Sequence, residues 1–338
     1  MPQETGANRA AGTPPGNSPG PGRRSQEGEA MRGRIVILGV FVADTAYRAA
    51  RMPRPGETLL GSEFRLGPGG KGSNQAVAAA RSGGAVHLIT RLGRDSFARM
   101  AHETWRAAGV VAEVTTDDEG FTGAAGIFVE ESSGNNAIII CPGVAGDIGP
   151  EDITRNAALF RDARVFMTQL EQPAEAAMHG LKLARENGAT TILNPAPAGG
   201  LPEGMLALCD YVTPNETEAE ALSGIAVASV DDACRAALAL LDQGAGAALV
   251  TLGENGVLYH DGRDAVHVPA FDAGPALDTT GAGDAFNGAL AAALARGDAP
   301  LEAVRFGCAA AAISVTRHGT AAAMPSLEEV HALMRRAG

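Results

Sequence analysis

The chain has 338 residues, 45% hydrophobic and 20% charged, enough apolar material for one large globular domain or two of ordinary size. Its formal net charge is −12, and in the first thirty residues Glu4, Glu27 and Glu29 cancel Arg9, Arg23 and Arg24. The folded body is therefore acidic, which excludes nucleic acid or an anionic membrane as its main partner while leaving room for a small phosphate ligand.

Residues 1–31 are rich in Gly, Pro and Ala, without periodicity or the apolar core of a secretory signal. They read as a disordered tail, and Met31, just before the first strand, offers an alternative start. "RIVILGV" (34–40) opens an alternation of strands and helices. Helices are predicted over 74–82, 95–108, 174–187, 231–243, 283–296, 301–316 and 326–337. The apolar runs "AVHLIT", "RVFMTQL", "TTILNPA", "YVTPN" and "AALVTL" read as strands. Such alternation predicts an α/β fold with a mostly parallel central sheet flanked by helices. Residues 45–67 and 120–142 break it with short strands and turns, and are expected to form a small β-sheet lid over a site. No apolar run approaches the ~20 residues that span a bilayer. Cys141, Cys209, Cys234 and Cys308 form no C-x-x-C pair and the seven histidines no H-E-x-x-H. Buried thiols in a reducing cytoplasm are expected, rather than zinc or disulfides.

Polar signals sit where strands end or helices begin: Asp44 in "VFVAD", Lys71 and Asn74 in "GPGGKGSNQA", Glu171 in "QLE", Asn215 and Glu218 in "TPNETEAE", the turn "TLGENG", and Asp284 in "DTTGAGDAFNGAL". "GPGGKG" matches G-x-G-x-x-G through Gly67, Gly69 and Gly72. It lies almost thirty residues beyond the first strand, which argues against a dinucleotide fold. Lys71 is followed by Gly72 and position 65 is Arg, so a Walker A loop is absent. Loops beyond the carboxyl ends of parallel strands gather around ligands, and helix N-termini there offer amides to phosphate. Taken singly, Asp44 reads equally as a turn residue, Asn215 as a helix cap and Asp284 as an exposed first-turn carboxylate.

Taken together, "GGKGSNQAVAAARSG", "NPAPA", "TPNETEAE", "VTLGENG", "DTTGAGDAFNGAL" and "AAAAISVTRHG" resemble the ribokinase/phosphofructokinase-B family of sugar kinases, over about residues 33–337. The resemblance implies a kinase domain over 32–338 with a β-sheet lid that often serves as a homodimer contact. It also implies ATP-dependent phosphorylation of a pentose 5-hydroxyl, with D-ribose giving ribose 5-phosphate and ADP.

By the same resemblance, Asp284 is the base and the amides of Gly281, Ala282 and Gly283 are the anion hole for the migrating phosphoryl group. Asp44, Gly70, Lys71, Asn74 and Glu171 join Asp284 around the sugar. ATP lies along Thr251, Leu252, Gly253, Glu254, Asn255 and Gly256, with Asn215 near its phosphates and Gly283 beside them. Asn215 and Glu218 organise Mg²⁺ through waters. Asp278 and Thr280, with backbone groups of Ser314, Arg317 and Gly319, take a potassium ion. Ala323 stands where a serine is common and Cys308 where a histidine often flanks the adenine. Val42 replaces an asparagine typical of the sugar site and cannot hydrogen-bond, which points toward 2-deoxyribose or another altered sugar as the alternative to ribose. A nucleoside or fructose-phosphate kinase on the same scaffold, and a non-catalytic sensor, are further alternatives. A fructose-phosphate kinase would need arginines for a second phosphate, since Lys71 and Lys182 are the only lysines. A sensor would be expected to have lost Asp284.

Overall fold

Strand β1 (Arg34–Leu38) is buried along almost its whole length and sends alternate side chains into opposite layers. Ile35 and Ile37 enter one apolar cluster, Val36 and Leu38 the other. A strand covered on both faces reads as a continuous apolar run, which is why "RIVIL" shows no polar alternation. The computed structural model describes Met1 and residues 33–133 and 135–337. The tail expected over 1–31, Met1 apart, and the alternative start at Met31 lie outside the described residues.

Beside β1 stand β4 (Ala85–Leu92) and then β5 (Val111–Thr116) on one side. On the other follow β8 (Ala163–Thr168), β9 (Thr190–Leu193), β10 (Tyr211–Val212) and β11 (Ala247–Thr251), all parallel. The antiparallel β12 (Val257–His260) and β13 (Ala265–Val268) complete this sheet. The order reverses between β1 and β8, so the loops leaving those two strands diverge and open a crevice at their carboxyl ends.

Helices α1 (Lys71–Arg81), α2 (Ser96–Ala108) and α8 (Ala282–Arg296) cover one face, with α9 (Pro300–Ser314) and α10 (Leu327–Ala337) beyond them. The other face carries the short α3 (Pro150–Arg155) and α4 (Ala157–Phe160), then α5 (Ala174–Glu186), α6 (Glu216–Ser223) and α7 (Val230–Asp242). Helices α1 and α8 cross almost backbone to backbone: a Cβ on Gly288 would lie 2.5 Å from the Gln75 carbonyl and 2.5 Å from the Ala78 methyl. The Ala-rich sequences of both helices serve this approach, which brings the first turn of α8 beside the first turn of α1.

A second sheet, in the order β3-β2-β6-β7, is built from β2 (Val42–Ala49), β3 (Glu63–Gly69), β6 (Thr122–Glu130) and β7 (Asn136–Gly143). Register divides its faces. Asp44 is level with Gly67, Ala125 and Ile140, and Ala46 with Arg65, Ile127 and Ile138. Tyr47 shares the opposite face with Phe64, Leu66, Phe128 and Ile139.

Candidate active site

The two helices nearest the crevice begin without side-chain caps. Asp95, Asn215 and Ser229 cap α2, α6 and α7 through their side chains. The N-caps of α1 and α8 are Gly70 (φ 85°) and Gly281 (φ 81°), which have no side chain to give. Glycine takes this positive φ without penalty, and an uncapped first turn leaves its amides and partial positive charge to a ligand. Space in front of α8 suits one: a Cβ on Gly283 would meet no atom of the described residues within 4 Å. Of the three anion-hole amides expected from sequence, that of Ala282 makes a long bond to the Thr279 carbonyl, 3.3 Å.

Asp284, in that first turn, is buried rather than exposed on the surface. Its Oδ2 accepts from Asn74 Nδ2 and its Oδ1 from Gln75 Nε2, each at 3.0 Å. Burial pushes its carboxyl up from the usual aspartate value, against the opposing effects of Lys71 and the two amides. Burial and the Asp284 charge raise Asp44 to about 6. Burial raises Glu171 to about 7, although Lys71 and the Lys71 backbone amide, 2.7 Å from Glu171 Oε2, favour its ionised form. Burial also works against the Lys71 ammonium, but Asp284, Glu171 and Glu218 outweigh it and hold the lysine above its usual value. Three carboxylates from three chain segments, Asp284, Glu171 and Glu218, thus face one lysine at the crevice, and Asp44 adjoins the first two. That arrangement can receive several hydroxyl groups and neutralise part of an incoming negative charge.

Val42 precedes Asp44 by two residues, on the same face, and is buried at 4% exposure. It packs with Val40 and Ala125, and a Cβ on Gly123 would lie 3.0 Å from its Cγ1. Asn215 caps α6 in a reciprocal box with Glu218: Glu218 N donates to Asn215 Oδ1 at 2.8 Å and Asn215 N to Glu218 Oε2 at 2.9 Å. The cap reading of Asn215 therefore holds, and burial raises the Glu218 carboxyl. Thr251 joins the same corner, its amide donating to the Pro214 carbonyl at 2.9 Å. Leu252 and Gly256 close the next turn, a 3₁₀ turn over Gly253, Glu254 and Asn255, the Leu252 amide donating to the Gly256 carbonyl at 2.8 Å.

Asp278 accepts from the amides of Thr280 and Gly319, each at 3.0 Å. Partial burial works the other way, but these bonds hold its carboxyl below the usual range. Ser314 ends α9, Arg317 follows it, and Ala323 is buried with no side-chain oxygen to contribute. Thr320 Oγ1 donates to the Pro68 carbonyl at 2.7 Å, tying this loop to the end of β3. Cys308 lies among the apolar residues of α8 and α9, where burial pushes its thiol up to about 12.

Sequence reasoning passed over the amide side chains behind Asp284: Gln75, Gln169, Asn194 and Asn287, with Thr213 between the last two. The available signal was the Asn-Gln pair in "GSNQA", since two adjacent amides in a helix turn that is otherwise buried must find partners. A cleft of about 520 Å³ opens elsewhere, at the amino ends of β9 to β11. Its Arg185 and Asp210 pair with each other at 3.2 Å.

Residues 33–327 match the model of the pfkB family carbohydrate kinases. Ribokinase of Haemophilus influenzae is 37% identical over 300 residues, covering 88% of this chain and 97% of that protein. Deoxyribokinase of Salmonella typhi is likewise 37% identical over 300 residues, covering 87% and 96%. Among solved structures, Arabidopsis thaliana ribokinase complexed with ribose and ATP superposes with a TM-score of 0.85 at 29% identity, over 90% of this chain and 99% of that one. Thermotoga maritima ribokinase gives 0.82 at 36% identity, over 90% and 99%. The chain belongs to the pfkB family of carbohydrate kinases, phosphotransferases that act on an alcohol group.

Proposed function

We propose that the protein transfers the γ-phosphoryl group of ATP to the 5-hydroxyl of D-ribose, giving ribose 5-phosphate and ADP. The observation that carries this reading is the pairing of a buried carboxylate, Asp284, with the uncapped first turn of α8 in one crevice. Phosphoryl transfer asks for a base at the attacking oxygen and fixed donors for the charge on the phosphoryl group. Asp284 accepts the hydroxyl proton, and the amides of residues 281–283 receive the phosphoryl oxygens. Asp44, Lys71, Asn74 and Glu171 bind the sugar hydroxyls and the uncapped Gly70 end of α1 lies against them. Asn74 Oδ1 is buried without a partner among the described residues, as expected of an acceptor kept for a sugar hydroxyl. ATP lies along the 251–256 turn, near Asn215 and Cys308.

The residues present fit the ions expected from sequence. Asn215 and Glu218 would hold Mg²⁺ through waters, and Mg²⁺ supplies charge neutralisation to the phosphates. Potassium suits one ionised carboxylate, Asp278, and the neutral oxygens of Thr280, Ser314, Arg317 and Gly319, with Ala323 giving only its backbone.

Val42 favours a second reading, in which 2-deoxyribose is the better substrate. The apolar side chain fills a place beside Asp44 and leaves a sugar hydroxyl there without a partner. ADP release measured with D-ribose, 2-deoxy-D-ribose, fructose 6-phosphate and nucleosides, with and without potassium, tests both readings; activity on none of the pentoses would sink them together. Val42→Asn is expected to raise the ribose to deoxyribose ratio of kcat/KM by about 10-fold, the worth of one well-placed hydrogen bond. An unchanged ratio in a folded variant would remove Val42 from the question.

The four-stranded sheet is proposed as a lid over the sugar and, through its outer face, as a homodimer contact. Tyr47 (50% exposed), Phe64 (56%) and Ile139 (75%) make an apolar surface on the side away from Asp44. Ile139→Lys combined with Phe64→Glu is expected to halve the mass measured by sedimentation equilibrium. A wild-type protein that sediments as a monomer at micromolar concentration would refute the contact.

A further inference from the structure

Two amides hold the Asp284 carboxylate, and they differ in what else they do. Asn74 donates to Oδ2, but its own Oδ1 is buried without a partner among the described residues, so a sugar hydroxyl can engage it. Gln75 has no such freedom. It is wholly buried, and its Nε2 donates to Asp284 Oδ1 and to Asn194 Oδ1, each at 3.0 Å, while its Oε1 accepts from Gln169 Nε2.

A flipped Gln75 would turn its oxygen toward two acceptors, and Asn194 is kept from flipping by its own bond to the Thr213 carbonyl, 3.0 Å. The run continues beyond Asn194. Thr213 Oγ1 donates to Asn287 Oδ1 at 2.6 Å, and Asn287 Nδ2 to the Gly283 carbonyl at 2.9 Å. One chain of amides and a hydroxyl, drawn from α1 and the ends of β8, β9 and β10, therefore grips the first turn of α8 twice. It holds the Asp284 side chain and the backbone of the adjoining anion-hole loop.

We infer that Gln75 is a positioning residue for the transfer: it fixes the Asp284 carboxylate in the orientation from which the hydroxyl proton is taken, without touching the sugar. This rests on the reading of Asp284 as the base. The group it acts on is faced by Lys71 and Asn74 from α1, Asp44 from β2, Glu171 after β8 and Glu218 from α6. Gln75 is wholly buried, out of a sugar hydroxyl's reach. A donor to a carboxylate favours its ionised form, so losing Gln75 both frees the carboxylate to rotate and raises the pH at which it ionises.

The test uses Gln75→Met and Gln75→Glu in the full chain, with ATP and whichever of D-ribose and 2-deoxy-D-ribose the wild type turns over faster. Gln75→Met is expected to lower kcat about 100-fold, the scale of a misplaced catalytic group, while the sugar KM stays within about threefold. The acidic limb of the kcat–pH profile should move to higher pH in both variants, through loss of a donor in one and an added like charge in the other. In an Asp284→Asn background Gln75→Met should change the residual kcat by less than about threefold, because the two act as a unit.

A folded Gln75→Met with wild-type kcat and limb overturns the assignment, as does an equal loss of kcat in both backgrounds, which marks a structural role only. Gln75→Glu keeps the size of the side chain; its unmoved limb overturns the assignment even where the methionine loosens the core. Full turnover by Asp284→Asn alone would instead strike the base reading, a result distinct from any failure of Gln75.

Discussion

Replacing Asp284 by Asn is expected to lower kcat by about 10²- to 10⁴-fold, the usual contribution of a positioned base, while sugar binding followed by isothermal calorimetry stays measurable. The neighbours show why the variant should fold. An amide at position 284 presents one acceptor and one donor in place of two acceptors. Gln75 cannot turn, so the new carbonyl takes its hydrogen bond. Asn74 can turn, because its Oδ1 has no partner among the described residues, and it accepts from the new amide. The loss of activity should therefore come with a gain in stability. Burial raises the native Asp284 pKa above its unfolded value, so the native state holds that proton more tightly and the ionised form costs stability. The cost is absent below the usual aspartate pKa and grows as pH rises through the raised one. Tm of Asp284→Asn should consequently exceed that of wild type at neutral pH, and the two should converge in acid. A variant with undiminished kcat defeats the mechanism; one less stable than wild type at every pH defeats the account of the hydrogen bonds.

Which parts of this site the sequence announces follows from what each part needs. "GPGGKGSNQ" and "DTTGAGD" are legible because uncapped helix starts require glycine at one fixed place, and glycine beside Lys or Asp leaves a pattern. The capping box of Asn215 and Glu218 is legible through its N-x-x-E spacing, and there the cap and the proposed ligand roles coincide. Asp284 reads equally well as an exposed residue, because only the crossing of α8 over α1 at Gly288 buries it. The strand order that sets β1 beside β8, and so Asp44 near Glu171, is a property of crossovers and has no local signal.

The amides behind the base are silent for a similar reason. Gln75, Gln169 and Asn194 lie 94 and 119 residues apart along the pairings that join them, and nothing short-range foretells a partner. Other gaps are matters of length. Helices α3 and α4, of 6 and 4 residues, are too short for a 3.6-residue period to declare itself. The β12–β13 hairpin did carry a signal, Asp-Gly in "YHDGRDAV", between two short apolar runs.

The second large effect expected is a collapse of kcat/KM in mild acid. Glu171 and Asp44, raised to about 7 and about 6, accept sugar hydroxyls at full strength through both oxygens only when ionised. Between about pH 8 and about pH 5 their ionised fractions fall by about 100-fold and about 10-fold, so kcat/KM for the sugar should drop, by up to about 10³-fold. Protonation of ATP falls in the same range, but it is common to wild type and Glu171→Gln. That variant should therefore lose one proton from the slope of log kcat/KM against pH, and the difference between the two curves isolates Glu171. Unfolding is separable by its sign. Both groups have native pKa values above their unfolded ones, so their contribution to stability is complete below the usual carboxylate pKa and is lost as pH rises through about 6 and about 7. Carboxylates that the fold holds low, such as Glu57 at about 2 and Asp278, titrate below this window. From about pH 8 to about pH 5 these site groups should thus add to Tm while kcat/KM falls, a divergence that acid denaturation cannot produce. Parallel slopes for wild type and Glu171→Gln would show that Glu171 is already ionised or already neutral throughout, and would take it out of sugar binding by this route.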